Sequence, residues 1–299
     1  MSLVQANHRI SLKNILFLTD FSEPSAAALP FATMIARAYG AKVTALHALL
    51  PSVYEYMAAE SQPIVRDDQE DLAKSEMDRV EAALAGVPRE TIIERGLNVW
   101  EVLSRILSER EIDLIALGTH GRTGLKKALL GSAAEEVFRR TSVPVLTIGP
   151  GVQSGAHNGG RLHCVLFASA LDAVSTAAVP YAISLAQENQ SRLVLLHVLP
   201  APKPGKQPKP GVLSVAEAAH QLEELVPKDA DLWCRLVPEV QHGEPGAQIL
   251  AMADRCGADL IVLGVHGLDT AAALATRVER ATAYNVVAHA PCPVLTVRG

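Results

Sequence analysis

The chain has 299 residues, more than one domain usually contains, and this length favours two domains. Hydrophobic residues make up 49% and charged residues 20% of the composition, which is typical of a globular protein. The net charge of −5 disfavours binding to nucleic acid, because that function needs a basic surface for the phosphates. No apolar run reaches the roughly 18 residues of a membrane span and the N-terminus lacks a signal-peptide pattern, so we expect a cytoplasmic protein without a membrane partner.

Short apolar runs alternate with longer helical patterns along the first half of the chain. In chain order the predicted strands are residues 14–19, 42–49, 91–95, 114–118 and 145–148. The predicted helices lie near residues 24–39, 66–84, 99–109 and 132–140. This alternation predicts βαβ units and a mainly parallel sheet of five strands.

The second half repeats the pattern of the first. The segment DLIALGTHG at 113–121 returns as DLIVLGVHG at 259–267, 146 positions later. The segment PVLTI at 144–148 returns as PVLTV at 293–297, 149 positions later. Offsets this constant indicate a duplicated domain. The predicted limits are 1–150 for the first domain, 151–160 for a Gly-rich linker and 161–299 for the second domain.

The four cysteines all lie in the second half. They stand at positions 164, 234, 256 and 292, and no two of them form a C-x-x-C pair. This spacing matches neither a zinc knuckle nor a dithiol motif. We therefore expect reduced thiols that serve only in packing.

The motif that carries the chemistry follows the fourth predicted strand. Glycines stand at positions 118, 121 and 131, and Ser132 follows the last of them. A strand that ends in glycines, followed by Gly-Ser at a helix start, gathers backbone N–H groups at one point and favours a phosphate there. Neither the P-loop nor the Rossmann G-x-G-x-x-G fingerprint is present, which excludes the two commonest phosphate motifs.

The spacing G-x2-G-x9-G-[ST] resembles the nucleotide signature of the ATP-binding branch of the universal stress protein family, and the resemblance covers nearly the whole chain. It implies two tandem flavodoxin-like (Rossmann-like) α/β domains that pair as a pseudo-dimer through their last strands, in a protein that forms homo-oligomers. It also implies ATP with Mg²⁺ as cofactors, with Asp20 at the ribose, Ala48 beside adenine and no protein ligand assigned to the metal. The cofactor-binding residues that it implies are Thr19, Asp20, Ala48, Leu117, Gly118, Gly121, Arg122, Gly131, Ser132 and Ala133.

Two of these residues also have a purely structural interpretation. Asp20 or Ser22 would be a suitable N-cap for the helix that begins near Pro24. Ser132 and Glu135 form an S-x-x-E capping box, which would start a helix with no ligand present. Both roles can hold at once, because the N–H groups of a helix start are also the groups that meet an anion.

The second half has lost two of the implied binding residues. Ala170 stands in the position of Asp20, and Arg277 stands in the position of Gly131. A long side chain at 277 would keep phosphates away from the backbone, so we predict that this half binds no nucleotide.

Two histidines at strand ends recur in both halves. His47 returns as His197, and His120 returns as His266. Their presence in the half without the signature favours a structural role.

The leading hypothesis is a cytoplasmic stress-response protein that binds ATP with Mg²⁺ in its first domain and senses or signals nucleotide state. No nucleophile–base pair or carboxylate pair accompanies the glycines, so no catalytic residue is assigned and at most slow ATP hydrolysis is expected. The alternative is a scaffold that binds no nucleotide and acts through dimer surfaces and the Pro-rich loop at 200–211. A hydrolase or transferase on this fold would need a further catalytic side chain near Gly118.

Overall fold

The computed structural model describes residues 9–51, 62–119, 131–152, 160–202, 213–227, 234–266 and 275–299, without the side chains of 62–67 and 275–280. The described chain forms two compact units, Leu12–Ile148 and Gly149–Gly299. Residues 9–11 pack with the second unit, where the Ile10 N–H donates to Ser184 Oγ at 3.1 Å. Most of the linker expected at 151–160 lies outside the described residues, and the domain limits stay a prediction.

The first unit contains a five-stranded parallel sheet. Its strands are β1 (Asn14–Leu18), β2 (Lys42–Leu49), β3 (Arg89–Arg95), β4 (Leu114–Gly118) and β5 (Val145–Ile148). They are ordered β3-β2-β1-β4-β5, and every neighbouring pair is parallel. The helices are α1 (Glu23–Ala26), α2 (Leu29–Tyr39), α3 (Gln62–Ala83), α4 (Val99–Glu109) and α5 (Ser132–Arg140). This order of strands and helices confirms the α/β class predicted for the first half.

The strands form where the sequence is apolar on both faces, because a parallel sheet is covered by helices on each side. In β1 the side chains of Ile15, Leu16 and Phe17 are fully buried. One predicted helix differs from expectation, because residues 24–39 form α1 and α2 with an interruption at 27–28. Pro30 has no N–H to bond the carbonyl group four residues earlier, and this missing bond falls at the interruption.

The second unit repeats this topology. Its strands are β6 (Cys164–Ala168), β7 (Arg192–Leu199), β8 (Arg235–His242), β9 (Leu260–Val265) and β10 (Val294–Arg298), in the order β10-β9-β6-β7-β8. Its helices are α6 (Ala173–Asn189), α7 (Val215–Glu224), α8 (Pro245–Cys256) and α9 (Ala275–His289). Among the helices described in the two units, none is both long enough and apolar enough to cross a membrane.

The duplication extends to individual hydrogen bonds. Asp113 opens the repeated segment, and its Oδ2 accepts the N–H groups of Lys13 and Asn14 at 2.7 and 2.9 Å. In the second unit Asp259 Oδ2 accepts the N–H groups of His163 and Cys164 at 2.6 and 2.9 Å. Each aspartate ties the loop before the fourth strand of its sheet to the start of the first strand. The tandem arrangement predicted from the offsets is confirmed.

Candidate functional site

A cavity of about 740 Å³ lies at the carboxyl ends of β1, β2 and β4 in the first unit. The chain leaves β1 toward β2 on one side, and β4 pairs with β1 on the other, so the sheet order reverses here. Open α/β sheets bind ligands at such a switch point. The volume also falls within the range of small-molecule pockets.

The cavity brings together the predicted residues that the structure describes. Those that line it are Thr19, Asp20, Ala48, Leu117, Gly118, Gly131, Ser132 and Ala133. Gly121 and Arg122, as well as His120, lie outside the described residues. These residues come from separate parts of the sequence, and their roles in binding stay a prediction.

The turn after β1 fixes the carboxylate of Asp20 beside the cavity. Its Oδ1 accepts the N–H of Ser22 at 3.1 Å and the hydroxyl of Ser22 at 2.5 Å. Ser22, and not Asp20, is the N-cap of α1, because its hydroxyl oxygen accepts the N–H of Ser25 at 3.3 Å. Asp20 is half-buried and supports this cap through Ser22.

The second unit builds the same turn with no carboxylate at this position. In the first unit Thr19 Oγ1 accepts the Phe21 N–H at 3.0 Å, and in the second Ser169 Oγ accepts the Leu171 N–H at 3.0 Å. Phe21 and Leu171 both have positive φ angles, 63° and 60°. The residue between the partners of the second bond is Ala170. The shape of the turn therefore does not depend on an aspartate at the intervening position.

The repeated histidines hold the same turn in place. His47 Nδ1 lies 2.8 Å from the carbonyl oxygen of Thr19, and His197 Nδ1 lies 2.8 Å from that of Ser169. Because the bond is identical in both units, the structural role predicted for this pair is confirmed. The ring of Phe21 stacks on His47 with 4.2 Å between centroids, and both side chains line the cavity.

Helix α5 begins at the cavity without a side-chain cap. Gly131 is its N-cap residue, and Ser132 is the first residue inside the helix. The capping box predicted from Ser132 and Glu135 is therefore wrong. The chain is held instead by the Gly131 N–H, which donates to the carbonyl oxygen of Thr119 at 2.7 Å.

The start of α5 offers backbone donors to a ligand. The first intrahelical bond runs from the Glu135 N–H to the carbonyl oxygen of Gly131 at 2.9 Å. The N–H groups of Ser132, Ala133 and Ala134 consequently have no acceptor within the helix. All three residues line the cavity, and Ser132 is exposed. Such groups, together with the positive end of the helix dipole, form an arrangement that favours an anion.

A helical wall of the cavity was missed by the sequence analysis. Gln69, Leu72, Ala73 and Glu76 of α3 face it at the spacing of one side of a helix. Leu72 is 62% exposed, and Leu50, which follows β2, is 39% exposed. The spacing is visible in the sequence, but only the fold shows that this face of α3 lies over the strand ends. This face of α3 adds apolar surface to a site whose other half is polar.

The model of the universal stress protein family matches residues 11–149 and again residues 163–298. The chain belongs to the universal stress protein family. It is 27% identical over 268 residues to a universal stress protein of Mycolicibacterium smegmatis, which covers 85% of this chain and 87% of that one. The universal stress protein MJ0531 of Methanocaldococcus jannaschii is 32% identical over 142 residues, 46% of this chain and 81% of its own. A solved universal stress protein from Archaeoglobus fulgidus has the same fold, with a TM-score of 0.72, 21% identity and 98% of each chain covered.

Gly118 of this universal stress protein is required by packing as well as by its place in the motif. A Cβ at Gly118 would lie 2.7 Å from the carbonyl carbon of Pro24 and 2.9 Å from the Cα of Ser25. A Cβ at Gly264, its counterpart, would lie 2.6 Å from the carbonyl oxygen of Val174. The fourth strand thus touches the backbone of the helix that follows the first strand in both units, including the unit with the degenerate signature. The glycine at this position alone does not indicate a ligand.

We expect the Gly118→Ala variant to be less stable than the parent by about 1–3 kcal/mol, because the added methyl group meets backbone that cannot rotate away. Gly264→Ala, the matched change in the second unit, should cost a similar amount. Denaturant unfolding of both variants measures the effect. An alanine that fitted without strain would instead stabilise the protein by about 0.4–1 kcal/mol, because it lowers the conformational entropy of the unfolded chain. That result would contradict the packing interpretation.

Proposed function

We propose that the first unit of this universal stress protein binds ATP together with Mg²⁺, and that the protein acts as a nucleotide sensor or signalling module in the stress response. The observation that carries the proposal is the meeting of the α5 N-terminus and the Asp20 carboxylate at one cavity. The helix start supplies N–H donors for phosphate oxygens. The carboxylate supplies an acceptor for ribose hydroxyls.

The remaining walls suit a nucleobase. Ala48, Leu50 and Leu72 give the cavity an apolar side. The family resemblance implies that Ala48 lies beside adenine. Mg²⁺ accompanies the phosphates in this proposal, and no side chain is assigned to it. No catalytic residue is assigned either, so slow hydrolysis is the most that we expect. The cytoplasmic location, the pseudo-dimer and the homo-oligomer stay predictions.

The comparison of the two units supports a role for Asp20 beyond folding. The second unit forms the same turn with Ala170, so the carboxylate is not needed to shape the chain there. The second unit also differs at its last helix. Residue 277 lies inside α9, which begins at Ala275, and the expectation that Arg277 occupies a turn equivalent to Gly131 is wrong. A helix start at the matching position is therefore missing from the part of the second unit that the structure describes.

Calorimetric titration with Mg-ATP should give about one site per chain, and Asp20→Ala should weaken binding about tenfold to a hundredfold. The loss corresponds to about 1.5–3 kcal/mol for a hydrogen bond to a charged group. The variant should keep the parental fold, because the same turn already exists with alanine in the second unit. Titration with ADP, AMP and cyclic AMP under the same conditions ranks the adenine nucleotides.

Ala170→Asp is the matched control for this experiment. It places a carboxylate in the exposed equivalent position of the second unit, and the number of sites should stay at one. Two equivalent sites in the parent, or parental affinity in Asp20→Ala, would contradict the assignment. A parent that binds no adenine nucleotide at all would favour the scaffold hypothesis.

A further inference from the structure

Two thiols and a guanidinium group meet in the second unit, at the edge of the sheet where β6 and β7 begin. Arg192 Nη2 lies 3.5 Å from Cys164 Sγ. The same nitrogen donates to the carbonyl oxygen of Cys256, the last residue of α8. The thiols of Cys164 and Cys256 are therefore close neighbours, and both are free. One guanidinium thus holds a strand start against a helix end and brings the two cysteines together.

The shared surroundings make the two thiols chemically different. The neighbouring Cys256 thiol, followed by the Arg192 guanidinium, lowers the pKa of the Cys164 thiol. The neighbouring Cys164 thiol, together with burial, raises the pKa of the Cys256 thiol. Because the thiolate is the nucleophilic form, Cys164 is the thiol that reacts first and Cys256 is the one that keeps its proton.

The two thiols differ in their exposure to solvent. Cys164 is 2% exposed, whereas Cys256 is half-buried at the end of α8. Gly257 follows it with a φ of 59° and ends the helix. Helix ends open more readily than helix centres, and this helix end is linked to Cys164 through Arg192. Burial raises the pKa of the neighbouring Cys292, which makes that thiol a poor competitor.

We propose that Cys164 and Cys256 form a redox-sensitive dithiol that hydroperoxides convert into a disulfide. The Cys164 thiolate attacks the peroxide O–O bond and becomes a sulfenic acid, while the other oxygen takes up a proton and leaves as an alcohol, or as water from hydrogen peroxide. The Cys256 sulfur then attacks the Cys164 sulfur, the S–O bond breaks, and the hydroxyl leaves as water with the proton of Cys256. Two electrons pass from the thiols to the peroxide. The proposal goes beyond nucleotide binding, since its residues all lie in the second unit.

The test is to expose the reduced full chain to hydrogen peroxide and to alkylate the remaining thiols. Before alkylation the intact mass should be lower by two hydrogen atoms, and a dithiol reductant should restore the parental mass. After alkylation in denaturant, peptide mapping should find one disulfide, between the peptides of Cys164 and Cys256, with Cys234 and Cys292 alkylated in full. Free Cys164 and Cys256 after treatment, or the random pairing found when the chain is oxidised in denaturant, would overturn the proposal.

Variants separate the steps. Cys256→Ser should abolish the disulfide and leave a sulfenic acid on Cys164, which dimedone traps. Cys234→Ala, the matched control at another buried cysteine, should form the disulfide in parental yield. Loss of the disulfide in a folded Cys234→Ala protein, or its persistence in Cys256→Ser, would overturn the pairing. No nucleotide is present in these reactions, so their failure would leave the proposed ATP site untouched.

Discussion

The Gly131→Arg variant should fold and should no longer bind ATP. Gly131 has φ −59° and ψ 149°, an extended conformation that any residue can adopt, and its N–H would still donate to Thr119. The new side chain would occupy the space beside the three N–H donors of the α5 start, where the phosphates are proposed to bind. Saturating ATP, at about 100 times its Kd, should raise the Tm of the parent by roughly 5–10 °C and leave the variant unchanged.

Charge and size can be separated at this position. Arginine attracts phosphate, so its charge alone would favour binding, and only its bulk predicts the loss. Gly131→Leu adds bulk without charge and should lose binding as completely. Gly131→Ala adds one methyl group and should retain part of the affinity. If ATP raised the Tm of a folded Gly131→Arg protein as much as it raises that of the parent, the phosphates could not lie at this helix start.

Ser132→Asp should keep its stability and lose between about fivefold and a thousandfold in ATP affinity. Ser132 is exposed in the first turn of α5, where a carboxylate stabilises a helix by about 0.3–1 kcal/mol through the dipole. The same charge within about 4 Å of a phosphate costs about 1–4 kcal/mol, depending on how far water screens the pair. Calorimetric titration at two salt concentrations measures the effect, which should shrink as salt rises.

Ser132→Asn is the matched control, because asparagine has nearly the shape of aspartate and no charge. It should bind ATP within a few-fold of the parent. Ser132→Ala should leave the free energy of unfolding almost unchanged, since Gly131 and not Ser132 is the N-cap. Equal ATP affinities of the aspartate and asparagine variants would show that no phosphate lies near this residue, and the interpretation of the motif would fail.

The structure changes the meaning of individual residues more than it changes the list of elements. Helix α5 and strand β4 have the bounds that periodicity and apolar runs predicted. The capping role predicted for Ser132 was nevertheless wrong, because a capping box and a helix that begins one residue earlier have the same sequence. The motif predicts a ligand-binding role for Gly118, and the structure adds a packing reason that the second unit shares at Gly264.

The sequence by itself determined the fold class, the duplication and the place of the candidate site. Apolar runs, helical periods and repeated segments are local signals, and the carboxyl ends of parallel strands must meet at one edge of a sheet. Only the tertiary structure decided which contacts are made across long separations. The face of α3 over the cavity and the meeting of Cys164 and Cys256 at Arg192 join residues that no local pattern connects. The packing of helices on the sheet decides which of these residues meet, and the spacing of residues along the chain does not reveal that packing.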